Sequence, residues 1–171
     1  MEEVLDVVNE KDQFVRKASR KEVREKALMY RVSRVIILNK EKKFLVQKRS
    51  MQKDIYPGQW DIGVAGTVSS GDGYAGTAMR ELMEELGIVG ISNIQLMHSF
   101  LFKIKHHSLE DNSICKVYKL NYDEKLVMQR EEIEEIKFLA AGEVKKLIAE
   151  EPFHPVGAII FKKYLELKNK N

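Results

Sequence analysis

Hydrophobic and polar positions along this chain repeat with two different periods, and the change of period marks out the elements. Near the start, Leu5-Asp-Val-Val8 and Gln13-Phe-Val-Arg16 flank the polar stretch Asn9-Glu-Lys-Asp12, a pattern that predicts a hairpin over 4–17. Ser19 followed by Glu22 is a capping-box pattern, so a helix is expected from about 20 to 28. Tyr30 to Leu38 and Phe44 to Gln47 read as strands joined by Asn39-Lys-Glu-Lys-Lys43. A loop follows over 51–59, containing Pro57-Gly58, and then one strand from Trp60 to Ala65.

The period then changes to that of a helix. Ala75, Ala78, Met79, Leu82, Met83 and Leu86 fall on one arc, while Glu81, Glu84 and Glu85 fall on the opposite one with Arg80 at its margin. Asp72, between Gly71 and Gly73, is an N-cap candidate, and Gly87 stands where a glycine would end the helix. Further strands are expected around 93–104, 113–121 and 135–139, and helices at about 141–149 and 155–168, the second with Pro155 in its first turn. Residues 168–171 read as a frayed tail. Strands interleaved with a few helices indicate an α/β chain whose mixed sheet is covered on both faces.

The acidic arc is an electrostatic liability. Glu81 repels Glu84 at i,i+3 and Glu85 at i,i+4, each pair unfavourable by roughly 0.2–0.5 kcal/mol. Glu84 and Glu85 also lie toward the negative end of the helix dipole. A divalent cation converts both penalties into attraction, because clustered carboxylate oxygens are what Mg²⁺ takes, together with water and phosphate oxygens. Arg80 is spaced to pair with Glu84 at i+4 and so to orient a carboxylate.

Composition adds boundaries. At 171 residues, 44% hydrophobic and 32% charged, the chain has the size and make-up of one globular domain. Its first ten residues, MEEVLDVVNE, lack the basic flank and apolar centre of a secretion signal, and no apolar run approaches the ~20 residues that cross a bilayer. Cys115 is the only cysteine, which excludes an intrachain disulfide and suits a reducing cytoplasm; its strand context reads as that of a buried, inert thiol. A net charge of +3 suits an anionic small molecule and is too weak to imply nucleic acid.

The stretch 66–88, GTVSSGDGYAGTAMRELMEELGI, resembles the signature of the Nudix hydrolase superfamily: Gly66, Arg80, Glu81, Leu82, Glu84, Glu85, Gly87 and Ile88 match at the required spacing. Asp72 stands where that signature has its first glutamate, and its shorter side chain suits a cap, or an acid behind the ligands, better than a direct metal bond. The resemblance implies a Nudix-like α/β/α sandwich with a mixed central sheet, formed by residues 30–171, and places 1–29 before it as a hairpin-and-helix extension, structural more readily than a roof over a pocket. It also implies hydrolysis of a diphosphate linkage, usually in a nucleoside diphosphate derivative, with Mg²⁺ or Mn²⁺.

By the same resemblance Glu81, Glu84 and Glu85 are the carboxylate ligands, and the backbone carbonyl of Ala65 joins them. A further acid is expected from the run Arg130-Glu-Glu-Ile-Glu-Glu135, with Glu132 the first choice and Glu131 the second. Lys48 and Arg49, at a strand end, either meet a phosphate or are simply solvated. Trp60 either stacks on a ring of the substrate or packs in the core. His106 and His107 read as exposed loop residues, without partners for a zinc site.

Two other functions are compatible with the pattern. One is an isopentenyl-diphosphate isomerase-like enzyme, which needs a cysteine before the motif that residues 60–66 do not supply, Cys115 lying far along the chain. The other is a nucleotide-binding module without turnover. The family resemblance also makes a homodimer plausible, and the composition of the loops does not encode the substrate.

Overall fold

The computed structural model describes residues 3–91, 94–106 and 109–168. Its core is a seven-stranded mixed sheet, and a separate two-stranded sheet precedes it. That smaller sheet pairs β1 (Val4–Val8) with β2 (Phe14–Ser19), so the second strand runs on to Ser19, past the end the pattern predicts. Asn9 closes the turn by accepting through its side chain from the backbone N–H of Lys11 and Gln13, at 2.9 and 3.0 Å. Helix α1 (Arg20–Glu25) follows, capped as expected by the Ser19 hydroxyl, which accepts from Glu22 N–H. It ends before residue 28, and Ala27 takes a positive φ.

In the main sheet, β3 (Tyr30–Leu38) lies parallel to β8 (Leu109–Asn121), which pairs antiparallel with β7 (Gln95–His106). β4 (Phe44–Arg49) pairs with β3 only at Leu38–Phe44, and otherwise with β5 (Trp60–Ile62) and β9 (Ile133–Leu139). β6 (Val64–Thr67) takes over the edge of β3 along Val32–Val35. The expected single strand over 60–65 is therefore two. Gly63 is the reason: it has φ +62°, and a Cβ there would lie 1.8 Å from the Val35 carbonyl oxygen. The kink sends β5 to β4 and β6 to β3, and the two halves of the sheet part from Leu38 back toward Val35.

Alternation along the strands sorts side chains onto two faces. Val35, Ile37, Leu45, Val64, Ile114 and Leu120 pack against Ala78, Leu82 and Leu86 of α2 (Tyr74–Leu86). Ile36, Leu38, Phe44, Val46, Ile62 and Val117 pack against Val144 of α3 (Ala141–Glu150) and Val156, Ile160, Phe161 and Tyr164 of α4 (Pro155–Lys168). Helices on both faces of a mixed sheet are the α/β/α arrangement expected. Pro155 opens α4 as anticipated, where a missing N–H costs no hydrogen bond.

Two local expectations change. Gly73, not Asp72, is the N-cap of α2, and no side chain caps it; Asp72 is exposed in the preceding turn, its N–H donating to the Ser69 carbonyl. On α2 itself Ala75 and Met83 are exposed while Glu85 is buried, so the buried arc is rotated toward the acids. The other end is as anticipated: Gly87 has φ +67°, and Gly87 and Ile88 N–H close onto Met83 and Leu82 carbonyls. His107 and the tail over 169–171 lie outside the described residues. No described helix is long and apolar enough to cross a membrane.

Candidate active site

A cleft of about 780 Å³ opens between the parted halves of the sheet, the C-terminal half of α2 and the N-terminal extension. Ala65, Arg80, Glu81, Glu84, Glu85 and Glu132 all line it. α2 provides the four central groups because its C-terminal turns run past the β6 strand. Glu81 lies so close to Gly66 that a Cβ at that position would stand 2.2 Å from the carboxyl carbon, which explains the glycine physically.

The acids are differently housed. One Arg80 nitrogen, Nη1, sits 3.0 Å from both Glu81 and Glu84, whose side chains are 13% and 46% exposed. Glu85 is buried and accepts from Gln47 Nε2 at 3.2 Å, the same amide nitrogen that donates to the Gly63 carbonyl. Burial pushes the Glu85 carboxyl up to about 8, with Glu81 adding to the shift and the Gln47 hydrogen bond opposing it. Burial likewise lifts Glu81 to about 7, against the pull of Arg80 and with repulsion from Glu84.

Besides Arg80, positive charge at this end comes from Lys53, in the loop between β4 and β5. It forms an ion pair with Glu132, and its field lowers the proton affinity of both Glu81 and Glu85. Glu132 is fixed from its backbone, whose carbonyl accepts from Ser50 N–H at 2.9 Å. The segment before it braces α2, with Val127 and Gln129 N–H donating to the Leu86 and Glu85 carbonyls. Glu131 is exposed and does not line the cleft.

Among the described residues no three acidic, imidazole or thiol side chains are already gathered closely enough to close around an ion. The chemistry of the donor set nevertheless fits a hard divalent cation. Two carboxylates that burial holds against ionisation stand beside a third and a fourth, and an ammonium already occupies part of their field.

The β3–β8 end of the cleft is polar in a different way. Arg34 of β3 is buried, with Nη1 donating to Asp61 at 2.6 Å and to the Ile62 carbonyl at 2.9 Å. Burial opposes the Asp61 charge, but Arg34, His154 and Arg49 outweigh it and hold the carboxyl below its ordinary range. Asp111, Ser113 and Cys115 of β8 and Tyr30 of β3 complete this wall. Glu3, Arg20 and Arg24 of the extension also line the cleft, with Arg20 paired to Glu3 at 2.7 Å and Arg24 to Asp54 at 3.3 Å. The extension is thus a wall of the cleft as well as a structural unit with its own small core of Leu5, Val7, Ala18 and Val23.

The other candidates separate. Arg49 lines the cleft, held by the Tyr56 and Ile55 carbonyls at 3.1 and 2.8 Å. Lys48, its neighbour on β4, points to the other face and meets Glu134 at 3.4 Å, so alternation splits a pair that the sequence presents as equivalent. Trp60 is a core residue, 5% exposed among the residues under α4, with Lys137 Nζ 4.7 Å from its ring centre. Its ring therefore faces the core rather than the cleft. Cys115, distant in sequence, comes into the cleft wall because β8 pairs with β3 at Val32. Burial pushes its thiol up to about 12, so it stays protonated at neutral pH.

Residues 29–159 match the NUDIX domain family. The chain belongs to the Nudix family. It is 33% identical over 168 residues to the uncharacterized Nudix hydrolase PA4841 of Pseudomonas aeruginosa, a match spanning 96% of this chain and 94% of that protein. Its fold is similar to that of DR0079 from Deinococcus radiodurans, with a TM-score of 0.79, 24% identity, and 94% of this chain and 98% of that one covered. It is also similar to the MutT protein from Methanosarcina mazei Go1, with a TM-score of 0.66, 20% identity, and 84% and 96% covered.

Within this Nudix fold, sequence reasoning names the helix-borne acids together with Ala65, Glu132 and Arg49, all of which line the cleft, and misses Gln47 and Lys53 beside them. Gln47 and Lys53 carry no local signal, one being a single polar residue at a strand end and the other a lysine in a polar loop. Arg34 and Asp61 did carry one. Each is a charged residue inside an apolar strand run, Val-Ser-Arg-Val-Ile and Trp-Asp-Ile, and a charge is rarely fully buried unless paired.

Proposed function

We propose that this Nudix protein hydrolyses a diphosphate linkage in a small molecule, a nucleoside diphosphate derivative being the leading class, by attack of water on phosphorus. The observation that carries the proposal is the meeting of Glu81, Glu84, Glu85 and Glu132 with Ala65 and Gly66 on one wall of a cleft. That cleft has the volume of a small-molecule site. The P–O bond of the linkage breaks, and the water oxygen ends on the phosphorus attacked.

Glu81, Glu84 and Glu85, with the Ala65 carbonyl and Glu132, would hold Mg²⁺ or Mn²⁺. When bound, such an ion neutralises the diphosphate oxygens and acidifies water. The rest falls to the protein. Arg80 fixes the directions of Glu81 and Glu84 from between them, and Gln47 fixes Glu85. Arg49, clamped by two carbonyls, is placed to meet a phosphate oxygen. Positioning and charge neutralisation are most of what phosphoryl transfer asks of a protein. In this reading residues 1–29 are an extension on a Nudix domain of 30–171, working in a reducing cytoplasm.

The isomerase reading gains one observation, the presence of Cys115 in the cleft wall. A thiol held protonated by burial and fully shielded from solvent argues against a reactive role.

The test incubates wild type and Glu84→Gln with Mg²⁺ and a panel of nucleoside diphosphate derivatives, resolving the products. Wild type is expected to release phosphorylated products, with the variant slower by about 100-fold or more. No product from any compound, or equal rates for the two proteins, would overturn the proposal.

A further inference from the structure

The β3–β8 end of the cleft takes no part in the chemistry proposed above. Alternation puts Tyr30, Val32 and Arg34 of β3 on one face, and the parallel register sets Ser113 and Cys115 of β8 opposite Tyr30 and Val32. Farther along that same face Ile36, Leu38 and Val117 lie in the dry core beneath α4. The two strands therefore pass from apolar core to polar wall without changing face, and packing alone gives no reason for an arginine there.

Two atoms of this wall are unmatched. The Arg34 side chain is 3% exposed, its Nη1 is occupied by Asp61 and the Ile62 carbonyl, its guanidinium lies against the Cys115 thiol, and its Nε–H has no hydrogen-bond partner. Ser113 and Tyr30 hold the Asp111 carboxyl, yet its Oδ1 is a buried acceptor that likewise has no hydrogen-bond partner. The two side chains are close enough for the Arg34 charge to act on the Asp111 carboxyl. Buried polar atoms in folded proteins are paired in the great majority of cases. An unmatched donor and an unmatched acceptor on one cleft wall are complementary to a group that both accepts and donates.

Charge narrows the group further. Three cations of this end already have carboxylate partners, Arg34 with Asp61, Arg20 with Glu3, and Arg24 with Asp54, and Arg49, held by two carbonyls, is taken up by the diphosphate in the reading above. A second anionic group would find little uncompensated positive charge, and a prenyl chain would leave both polar atoms unmatched and desolvated. We infer that this wall is a specificity subsite for a neutral substituent of the diphosphate bearing hydroxyl or amide groups, accepting from Arg34 Nε–H and donating to Asp111 Oδ1. Arg20 and Arg24 of the extension form the outer edge of the subsite. The inference rests on the hydrolase reading for what occupies the α2 end of the cleft.

The test measures kcat/KM with Mg²⁺ for uridine 5′-diphosphate, ribose 5-diphosphate, methyl diphosphate and isopentenyl diphosphate. Wild type is expected to prefer the first two over isopentenyl diphosphate by about 100-fold or more, because a site built around hydrogen bonds rejects partners that cannot make them. Asp111→Ala should reduce that preference at least about tenfold, and Ser113→Ala, which removes a neighbour of the carboxyl, by less. Isopentenyl diphosphate handled as well as the hydroxylated compounds would overturn the inference, as would a preference unchanged in a folded Asp111→Ala. Should Asp111→Ala lose its thermal transition, the wild-type preference and Ser113→Ala decide. If wild type cleaves none of the four, the wider panel of nucleoside diphosphate derivatives judges the hydrolase reading, and calorimetric binding of these four compounds judges the subsite alone: tighter binding of the hydroxylated pair supports it, and equal binding of all four overturns it.

Discussion

At one end of the cleft, Arg80, Glu81, Glu84 and Glu85 all come from a single 13-residue helix. At the other, Arg24, Arg34, Asp61 and Asp111 come from a short helix and three strands, and meet only because β3 pairs with β8 and exchanges β4 for β6. The first end concentrates negative charge that burial resists, and the second matches its charges in pairs. The difference separates two tasks. Charge held against its own repulsion suits a cation and a reaction, and matched charge with a few open hydrogen-bonding atoms suits recognition.

Removing one acid from the α2 end should have the largest effect. Glu81→Gln is expected to lower kcat/KM by about 1000-fold in a product-resolved assay, since loss of one preorganised electrostatic partner typically costs about 100–1000-fold. Its thermal stability should hold or rise, because a carboxyl that burial pushes up to about 7 is exchanged for a neutral amide. An active Glu81→Gln would dissolve the distinction between the ends.

Gly66→Ala comes next. The new methyl would meet the Glu81 carboxyl at 2.2 Å and displace it, so activity should fall by about 10–100-fold, with an overpacking penalty of about 1–3 kcal/mol in denaturant unfolding. Activity retained at the wild-type level would mean that the position of Glu81 against the β6 strand is unimportant.

The ends should also respond to pH with opposite signs. In the ion-free protein the native Glu85 keeps its proton up to about 8, whereas the unfolded chain loses it near 4.5. The native state therefore binds more protons in that window, and stability falls as pH rises through it. Asp61 is the reverse case: its native pKa lies below 3.8, so its contribution is present above that value and is lost as pH falls through the native pKa. Denaturant midpoints measured across pH should flatten between about 4.5 and 8 in Glu85→Gln and below about 4 in Asp61→Asn. Unaltered slopes would contradict the housing described for each acid.

The smallest effect is expected from Lys53, the ammonium that already neutralises part of the acidic end. Lys53→Met should tighten Mg²⁺ binding by about fivefold in calorimetry, the size of roughly one partly exposed charge contact. Weaker binding would assign Lys53 the opposite role, that of holding Glu132 in place for the ion.

How much of this is legible in the sequence follows the same division. Helix periodicity and the spacing of Arg80, Glu81, Glu84 and Glu85 reveal the α2 end, because all four lie within two turns of one another. Strand alternation and Pro155 likewise mark β3 and α4 close to their observed bounds. Gly63 does not announce its positive φ, so β5 and β6 read as one strand, and the parting of the sheet that creates the cleft is hidden with it. Lys48 and Arg49 look alike until the register of β4 turns them to opposite faces. The far wall depends on pairs such as Arg34 with Asp61, 27 residues apart, and Tyr30 with Ser113, which local pattern does not encode.

The most direct test of the central claim is hydrolysis of a nucleoside diphosphate derivative by wild type and Glu81→Gln in ¹⁸O-labelled water with saturating Mg²⁺, followed by ³¹P NMR and mass spectrometry of the products. Cleavage by wild type that places one labelled oxygen on a phosphorus, and that falls about 1000-fold in Glu81→Gln, is the predicted result. No cleavage, label found on carbon instead of phosphorus, or equal rates in the two proteins would contradict it.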